Sequence, residues 1–324
     1  MSKYIIGLLF ISSFSFSQSF APTVGEVGTT AIYKDSSIII NWATGVEVNR
    51  GYLNIANKPL GNASFGIDIN GTGKAEGDSF NIVSLGDSGV AIVTFDRPIE
   101  NGTGFDFAVF ENGFANDFLE LAFVEVSSDG EHFIRFPATS EASTTVQIGP
   151  FAYSDCRLFN NFAGKYRQGY GTPFDLEDLI DSSGIDLMHI THVKLVDVIG
   201  TVNEDFGSFD QHGNAINDLY PTPFPSGGFD LDAIGVINQG PLSIHSNLIE
   251  SLIKIYPNPT KSKITIESKD RVDITFLNIL GNIIYETSFS GKMYYDFNEM
   301  SNGIYFVEIK NRQFHEIIKV IVEK

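Results

Sequence analysis

The 324-residue chain has one cysteine, one tryptophan and only 21 basic side chains against 40 acidic ones. With Cys156 alone, no intrachain disulfide can form, so stability has to come from core packing. The shortage of Lys and Arg leaves a formal net charge of −19 at pH 7. Such a surface repels phosphate backbones and anionic membranes, which argues against nucleic acid as a partner. Long apolar runs are also missing, and nothing approaches the roughly 20 residues that a spanning helix needs, so the chain does not read as transmembrane. Disorder is excluded from the other direction, because 43% of residues are hydrophobic and 28 are Phe.

The charge is unevenly placed. From Ile253 onward there are 10 Lys/Arg and 9 Asp/Glu, which leaves 11 basic and 31 acidic residues upstream. The near-neutral end is therefore expected to be a separate module from an acidic main domain. At the other end, Lys3 precedes a short apolar run from Tyr4 to Phe10, and Ser15 and Ser17 stand before Gln18. That pattern fits a cleavable secretory signal over 1–17. The expected order is signal peptide 1–17, acidic domain 18–240, linker 241–252 and C-terminal module 253–324. The mature domain is long enough for a sizeable single core.

Within the main domain, short apolar segments alternate with Gly- and Asp-rich punctuation, the pattern of a jelly-roll-like β-sandwich. Expected strands include Ser37–Trp42, Phe105–Phe110, Thr191–Val198 and Phe229–Ile237. Asn81–Leu85 and Val90–Phe95 read as a hairpin about Gly86-Asp87-Ser88-Gly89. Leu121–Ser127 and His132–Phe136 read as another about Ser128-Asp129-Gly130. Phe174–Ile180 alone reads as a short helix.

Three catalytic look-alikes fail on chemistry. Gly86-Asp87-Ser88-Gly89 resembles a serine-protease nucleophile segment, but that arrangement needs a base upstream of the serine and no histidine precedes Ser88. Gly71-Thr72-Gly73-Lys74 lacks the phosphate-loop spacing and the following Ser/Thr. His189 and His192 are oddly spaced at a strand, so they face opposite sides. No catalytic residues are assigned, and the sequence leans away from an enzyme.

The unusual chemistry lies in acids placed inside apolar strands. Asp230 and Asp232 alternate with Phe229, Leu231 and Ala233, and Asp106 sits between Phe105 and Phe107. Simple alternation puts the two acids on one face with Ile234 and Val236. A buried carboxylate without a partner is costly, so each needs amides, an arginine or a metal. The segment Asp210 to Asp218 adds Asp210, Asn214 and Asp218 at first, fifth and ninth places, a partial imitation of a calcium loop without its glycine and glutamate. These residues, Asp106, Asp230, Asp232, Asp210, Asn214 and Asp218, are the candidate ligands of a calcium ion. At least two of Asp106, Asp230 and Asp232 are expected to converge at one end of the sandwich. Acids capping backbone amides are the alternative.

The C-terminal module carries Tyr256-Pro257-Asn258-Pro259-Thr260, an alternating Lys263–Glu267, and Asn302-Gly303-Ile304-Tyr305-Phe306. It resembles the type A sorting domain of type IX secretion in the Bacteroidetes, over the whole segment to Lys324. The resemblance implies a small immunoglobulin-like β-sandwich, with Tyr256, Pro257, Asn258, Pro259, Gly303 and Tyr305 carrying the signal. It also implies the type IX machinery as a partner, and delivery through the periplasm to the outer cell surface or beyond.

In the main domain, Val83–Asp87, Gly104–Asn112, Phe123–Gly130 and Gly227–Ala233 are similar, as an ordered set over Ala21–Asn238, to a family of bacterial cell-surface proteins with variable anchoring tails. Some members occur in settings of corrinoid (cobalamin-like) uptake. That resemblance implies capture of a corrinoid or similar small molecule for an outer-membrane receptor. A carbohydrate-binding module, or a polysaccharide-active enzyme with paired carboxylates, is the competing expectation, with a glycan as ligand.

Overall fold

The computed structural model describes residues 20–240, 253–311 and 315–324. The expected signal peptide at 1–17 and linker at 241–252 lie outside the described residues. The chain divides into two compact units, Met1–Pro241 and Leu242–Lys324.

The first unit is built from short strands. They run β1 (Ile32–Tyr33), β2 (Asn41–Trp42), β3 (Gly45–Asn49), β4 (Val83–Ser84) and β5 (Val90–Ile99). Then come β6 (Phe107–Glu111), β7 (Ala122–Ser127), β8 (Ile134–Arg135), β9 (Thr139–Ser140) and β10 (Phe159–Asn160). The unit closes with β11 (Phe162–Ala163), β12 (Tyr170–Phe174), β13 (Ile190–Asp197) and β14 (Asp230–Val236). One large sheet has the order β1-β12-β6-β14-β2, with β4 also on β14, a second has the order β11-β7-β13-β5-β3, with β8 on β7, and β9 and β10 form a small two-stranded sheet. Every pairing in these sheets is antiparallel.

Alternation explains how the sheets meet. Val193 and Leu195 of β13, Ala91 and Val93 of β5, and Val124 and Val126 of β7 join Phe107, Val109, Leu231, Ile234 and Val236 in one core. The unit is thus an all-β sandwich. Central strand β14 is buried along its whole length, as the apolar residues on both its faces foretell. Phe110 and Ala233, on the outer face of their sheet, pack with Ile32, Ala75 and Trp42 in a smaller cluster under the covering loops.

Three local expectations are corrected. Segments 81–85 and 90–95 do not form a hairpin: β4 pairs with β14 of one sheet, whereas β5 pairs with β13 and β3 of the other. Gly86–Gly89 is a corner between sheets. Asp87 Oδ2 accepts from Ile55 N at 2.7 Å, and Ser88 N donates to Asp197 Oδ2 at 3.1 Å, which fixes the chain there. The expected helix shrinks to a 3-10 turn, Leu176–Leu179, capped by Asp175 accepting from Glu177 N. In β14 the register shifts between Leu231 and Ala233. One extra residue at such a bulge reverses the phase of alternation, so Phe229 and Leu231 share the inter-sheet core with Ile234 and Val236. Asp230 and Asp232 consequently do not share a face with Ile234 and Val236.

The second unit contains β15 (Ile253–Tyr256), β16 (Lys263–Leu277), β17 (Ile283–Asp296), β18 (Gly303–Lys310) and β19 (His315–Val322). Its sheet has the order β15-β16-β18-β19, with β17 along the other side of β16. The register of β16 on β17 shifts between Ser268 and Val272. Ile264 and Ile266 before that point, and Val272, Ile274 and Phe276 after it, enter a single core with Val307, Ile309 and Val320. The two halves of one long sheet thereby enclose a common interior.

Candidate functional site

The six candidate metal ligands do not form one group. Asp106 lies before β6, at the opposite end of the β6–β14 ladder from Asp230, and accepts from Gly102 N (2.7 Å), Leu176 N (2.7 Å) and Asn238 Nδ2 (2.9 Å). Asp232 accepts from Glu76 N at 3.0 Å and Gly77 N at 2.9 Å. Asp210 and Asn214 do come together, in a turn where Asp210 accepts from the amides of His212, Asn214 and Ser140 and from Asn214 Nδ2. Asp218 is apart from them and takes Leu121 N at 2.9 Å. Each of these four carboxylates thus has backbone donors. Among the described residues, no group of three His, Cys, Asp or Glu side chains is arranged to hold a metal.

Asp230 differs from the rest. It is 4% exposed, and its Oδ1 makes no hydrogen bond in the protein. The ladder pairs Leu231 with Glu111, which brings Glu111 at the end of β6 close to Asp230. Glu111 is 1% exposed; its Oε2 accepts from Gly113 N at 2.7 Å, while its Oε1 is also without a partner. Glu120, just ahead of β7, is the third acid of the group. Burial, then the charge of Asp230, holds both glutamates well above the usual carboxylate range. Burial pushes Asp230 itself up to about 7, against the pull of Ser84, Asn112 and Arg50. Arg50 makes no ion pair with the group: its guanidinium donates to the carbonyls of Phe65, Ser84 and Gly66 and pairs with Asp68. Among the described residues, no salt bridge reaches Glu111, Glu120 or Asp230.

Asp230 and Glu120 open into a pocket of about 280 Å³ whose walls include Phe65, Phe114, Phe118, Phe151 and Phe224. Four loops deliver these rings. Phe114 and Phe118 come from the loop after β6 and lie 4.2 Å apart between centroids. Gly113 permits that loop, since a Cβ there would sit 2.9 Å from both Glu111 Oε2 and Phe118 O. Phe151 and Phe224, from distant loops, approach to 5.7 Å and are 70% and 38% exposed. Gly227 closes the turn beneath Phe224, donating to Phe224 O at 2.9 Å. The result is an apolar rim around an acidic floor.

Neighbouring acids extend the field behind this floor. Asp197 accepts from Phe229 N at 2.7 Å and Ser88 N at 3.1 Å, and burial raises it well above its usual range. Asp218 rises to about 7 for the same reason. A second depression, of about 410 Å³, is lined by Asn116, Tyr153, Asp155, Cys156 and Arg157 among others. Its guanidinium is already paired with Glu26 and Asp155, so it offers no unmet positive charge.

The sequence singled out Asp230 but not Glu111, Glu120 or the phenylalanine rim. Glu120 stands between Leu119 and Leu121, the same acid-in-apolar pattern that marked Asp230, and could have been found by it. The rim has no local signature.

In the second unit the expected signal residues lie in two places, on β15 with the segment after it and on β18. Asn258 Nδ2 donates to Lys319 O at 2.6 Å and its Oδ1 accepts from Ile321 N at 2.9 Å. Pro257 and Pro259 flank it, both after cis peptide bonds. Tyr256 OH donates to Glu267, which also pairs with Lys292. Tyr305 is 8% exposed, donates to Ser301 O at 2.9 Å and packs on Phe297. Gly303 opens β18 at φ +154°, a conformation that side-chain-bearing residues seldom adopt.

These features define the class: an all-β chain with a separate C-terminal β-unit bearing an export address. Residues 254–323 match the family model described as the secretion system C-terminal sorting domain. That tail marks the chain as cargo of type IX secretion, delivered to the cell surface or outside. Among the described residues, no helix is long and apolar enough to cross a membrane. No curated protein matches the chain. A solved structure described as "Biofilm associated protein - BSP domain" aligns at 10% identity over 89% of this chain and 53% of that one, with a TM-score of 0.18. The chain thus spans about half the length of that structure, and so low a score carries no argument. The resemblance of Ala21–Asn238 to a corrinoid-linked surface family gains no support from these comparisons.

Proposed function

We propose that the first unit is a surface-displayed binding domain that holds a small ligand, without transforming it, in the pocket between Phe114, Phe118, Phe151, Phe224, Glu120 and Asp230. The observation that carries this reading is the buried, unpartnered Asp230 oxygen at the floor of a phenylalanine-lined cavity. Apolar walls with a few convergent polar groups are the usual make-up of a ligand site. The volume of about 280 Å³ is at the small end of ligand cavities, which run from about 300 to 1,000 Å³. It accommodates a single ring, whereas a corrinoid macrocycle would have to lie across its mouth. Corrinoid capture for an outer-membrane receptor therefore rests on the sequence resemblance alone.

The test is calorimetric titration of the full chain with a panel of monosaccharides, small amines and cobalamin, repeated on Phe151→Ala. Binding that weakens at least tenfold in the variant supports the pocket. Binding insensitive to Phe151, or none across the panel, overturns it.

A polysaccharide-active enzyme is the second reading, favoured by one observation: Glu120 and Asp230 both line the cavity with raised carboxyl pKa values. A protonated carboxyl beside an ionised one is the apparatus of glycoside hydrolysis. Release of reducing ends from a glycan, abolished by Glu120→Gln, would establish it.

A further inference from the structure

We propose that the ligand of this pocket is a small organic cation bearing N–H donors, a protonated amine, held by Asp230 and Glu120 and stacked against the phenylalanine rim. The inference rests on the binding-domain reading above and names its ligand class.

Three observations point the same way. The Oδ1 of Asp230 and the Oε1 of Glu111 are buried and have no donor in the protein. Carboxylates accept and do not donate when ionised, so these two oxygens cannot satisfy each other in the fully charged state. A ligand in the cavity, which Asp230 lines and Glu111 does not, can bring Asp230 an N–H donor and positive charge together, whereas a neutral hydroxyl brings a donor without charge. The rim is the second observation. Phe114 and Phe151 are 60% and 70% exposed at the mouth, and aromatic faces attract an ammonium within about 6 Å of the ring centroid. The third is the surroundings. The upstream region carries 31 acidic against 11 basic residues, a field that concentrates cations from solution.

The charge state of the floor is set from every side that packs on it. Glu111 faces Asp230 and Asp232; Glu120 faces Asp230, Glu111, Asp218 and Asp197; and Arg50 opposes them from beside Asp230. Cation affinity should therefore grow as pH rises through about 7 and Asp230 ionises. A neutral ligand has no such dependence.

The experiment compares benzylamine with benzyl alcohol, which match in shape and differ in charge, by calorimetry on the full chain at pH 5.5 and pH 8. Tetramethylammonium serves as a cation without N–H donors. The expected result is benzylamine at least tenfold tighter than benzyl alcohol at pH 8, with a smaller preference at pH 5.5 and weaker binding of tetramethylammonium. Asp230→Asn should erase the preference for benzylamine over benzyl alcohol, and the unchanged fluorescence of Trp42 would show that the variant is folded. Equal affinity for the two probes, or a preference that survives in Asp230→Asn, overturns the cation proposal but leaves a binding pocket. Calcium ions binding at this floor in place of the amine would overturn it as well. Failure of every probe, with Phe151→Ala indistinguishable from wild type, overturns the pocket reading itself.

Discussion

Replacing Asp230 by Asn should stabilise the protein, by an amount that grows as pH rises from about 4 to about 7. Burial raises the folded-state carboxyl from 3.8 to about 7, and each pKa unit corresponds to about 1.4 kcal/mol. Keeping Asp230 ionised in the fold at pH 8 therefore costs up to about 4 kcal/mol relative to the unfolded chain. The sign follows from proton counting. The folded state holds its proton to higher pH than the unfolded state, so stability falls as pH rises from about 4 to about 7. Asn preserves the shape, carries no charge, and supplies an amide donor to the glutamates around it. At pH 8 the variant should be more stable by as much as about 4 kcal/mol, which for a unit of this size is roughly 8–16 °C in melting temperature. At pH 5 the gain should shrink to roughly 1.5 kcal/mol, because the unfolded carboxyl is already ionised while the folded one is protonated, and below about pH 4 the two midpoints should nearly coincide. Trp42 is the only tryptophan of the chain and packs 5.4 Å from Phe110 in the first unit, so its fluorescence follows that unit alone. A variant less stable than wild type at pH 8, or a difference of equal size at both pH values, would refute the reasoning.

Other outcomes follow from the same contacts. A chelator should leave the Trp42 melting midpoint unchanged, because Asp106, Asp210, Asp218 and Asp232 have backbone amides as donors; a drop of several degrees, with calcium found by elemental analysis, would contradict this. Asp197→Ala strips acceptors from Phe229 N and Ser88 N and should cost about 2–4 kcal/mol in denaturant titration. Asp129→Ala, in the exposed turn between β7 and β8, should barely move the same curve. Deleting 253–324 should leave the first unit folded but retained in the periplasm, and fractionation that finds the truncated chain at the cell surface would contradict the role of the tail.

How much of this was legible in the sequence depended on whether the signal was local. The sorting tail was, because its opening residues and its Asn302-Gly303-Ile304-Tyr305 strand are contiguous text. Asp230 was visible as an acid in an apolar strand. Its companions were not, because Glu111 reaches it across the β6–β14 ladder and Glu120 from a separate segment. The rim is less legible still, since Phe114, Phe151 and Phe224 come from loops scores of residues apart. The Gly86–Gly89 turn misled for a different reason: its residues specify a tight corner and say nothing of whether the next strand returns to the same sheet. The bulge in β14 likewise leaves no mark on the alternation, so the face assignment after Asp232 was inverted.

The side chain of Asn258 has a consequence for a protein that must travel. By accepting from Ile321 N and donating to Lys319 O it behaves as one rung of a β-ladder. Thr260 continues the ladder, donating to Ile321 O and accepting from Glu323 N. The outer rim of β19 is therefore occupied along Lys319–Glu323 by the very residues that compose the address. Open strand rims invite pairing with another chain, and so aggregation. The segment that opens the sorting domain thus leaves that stretch of β19 unavailable to a strand from another chain.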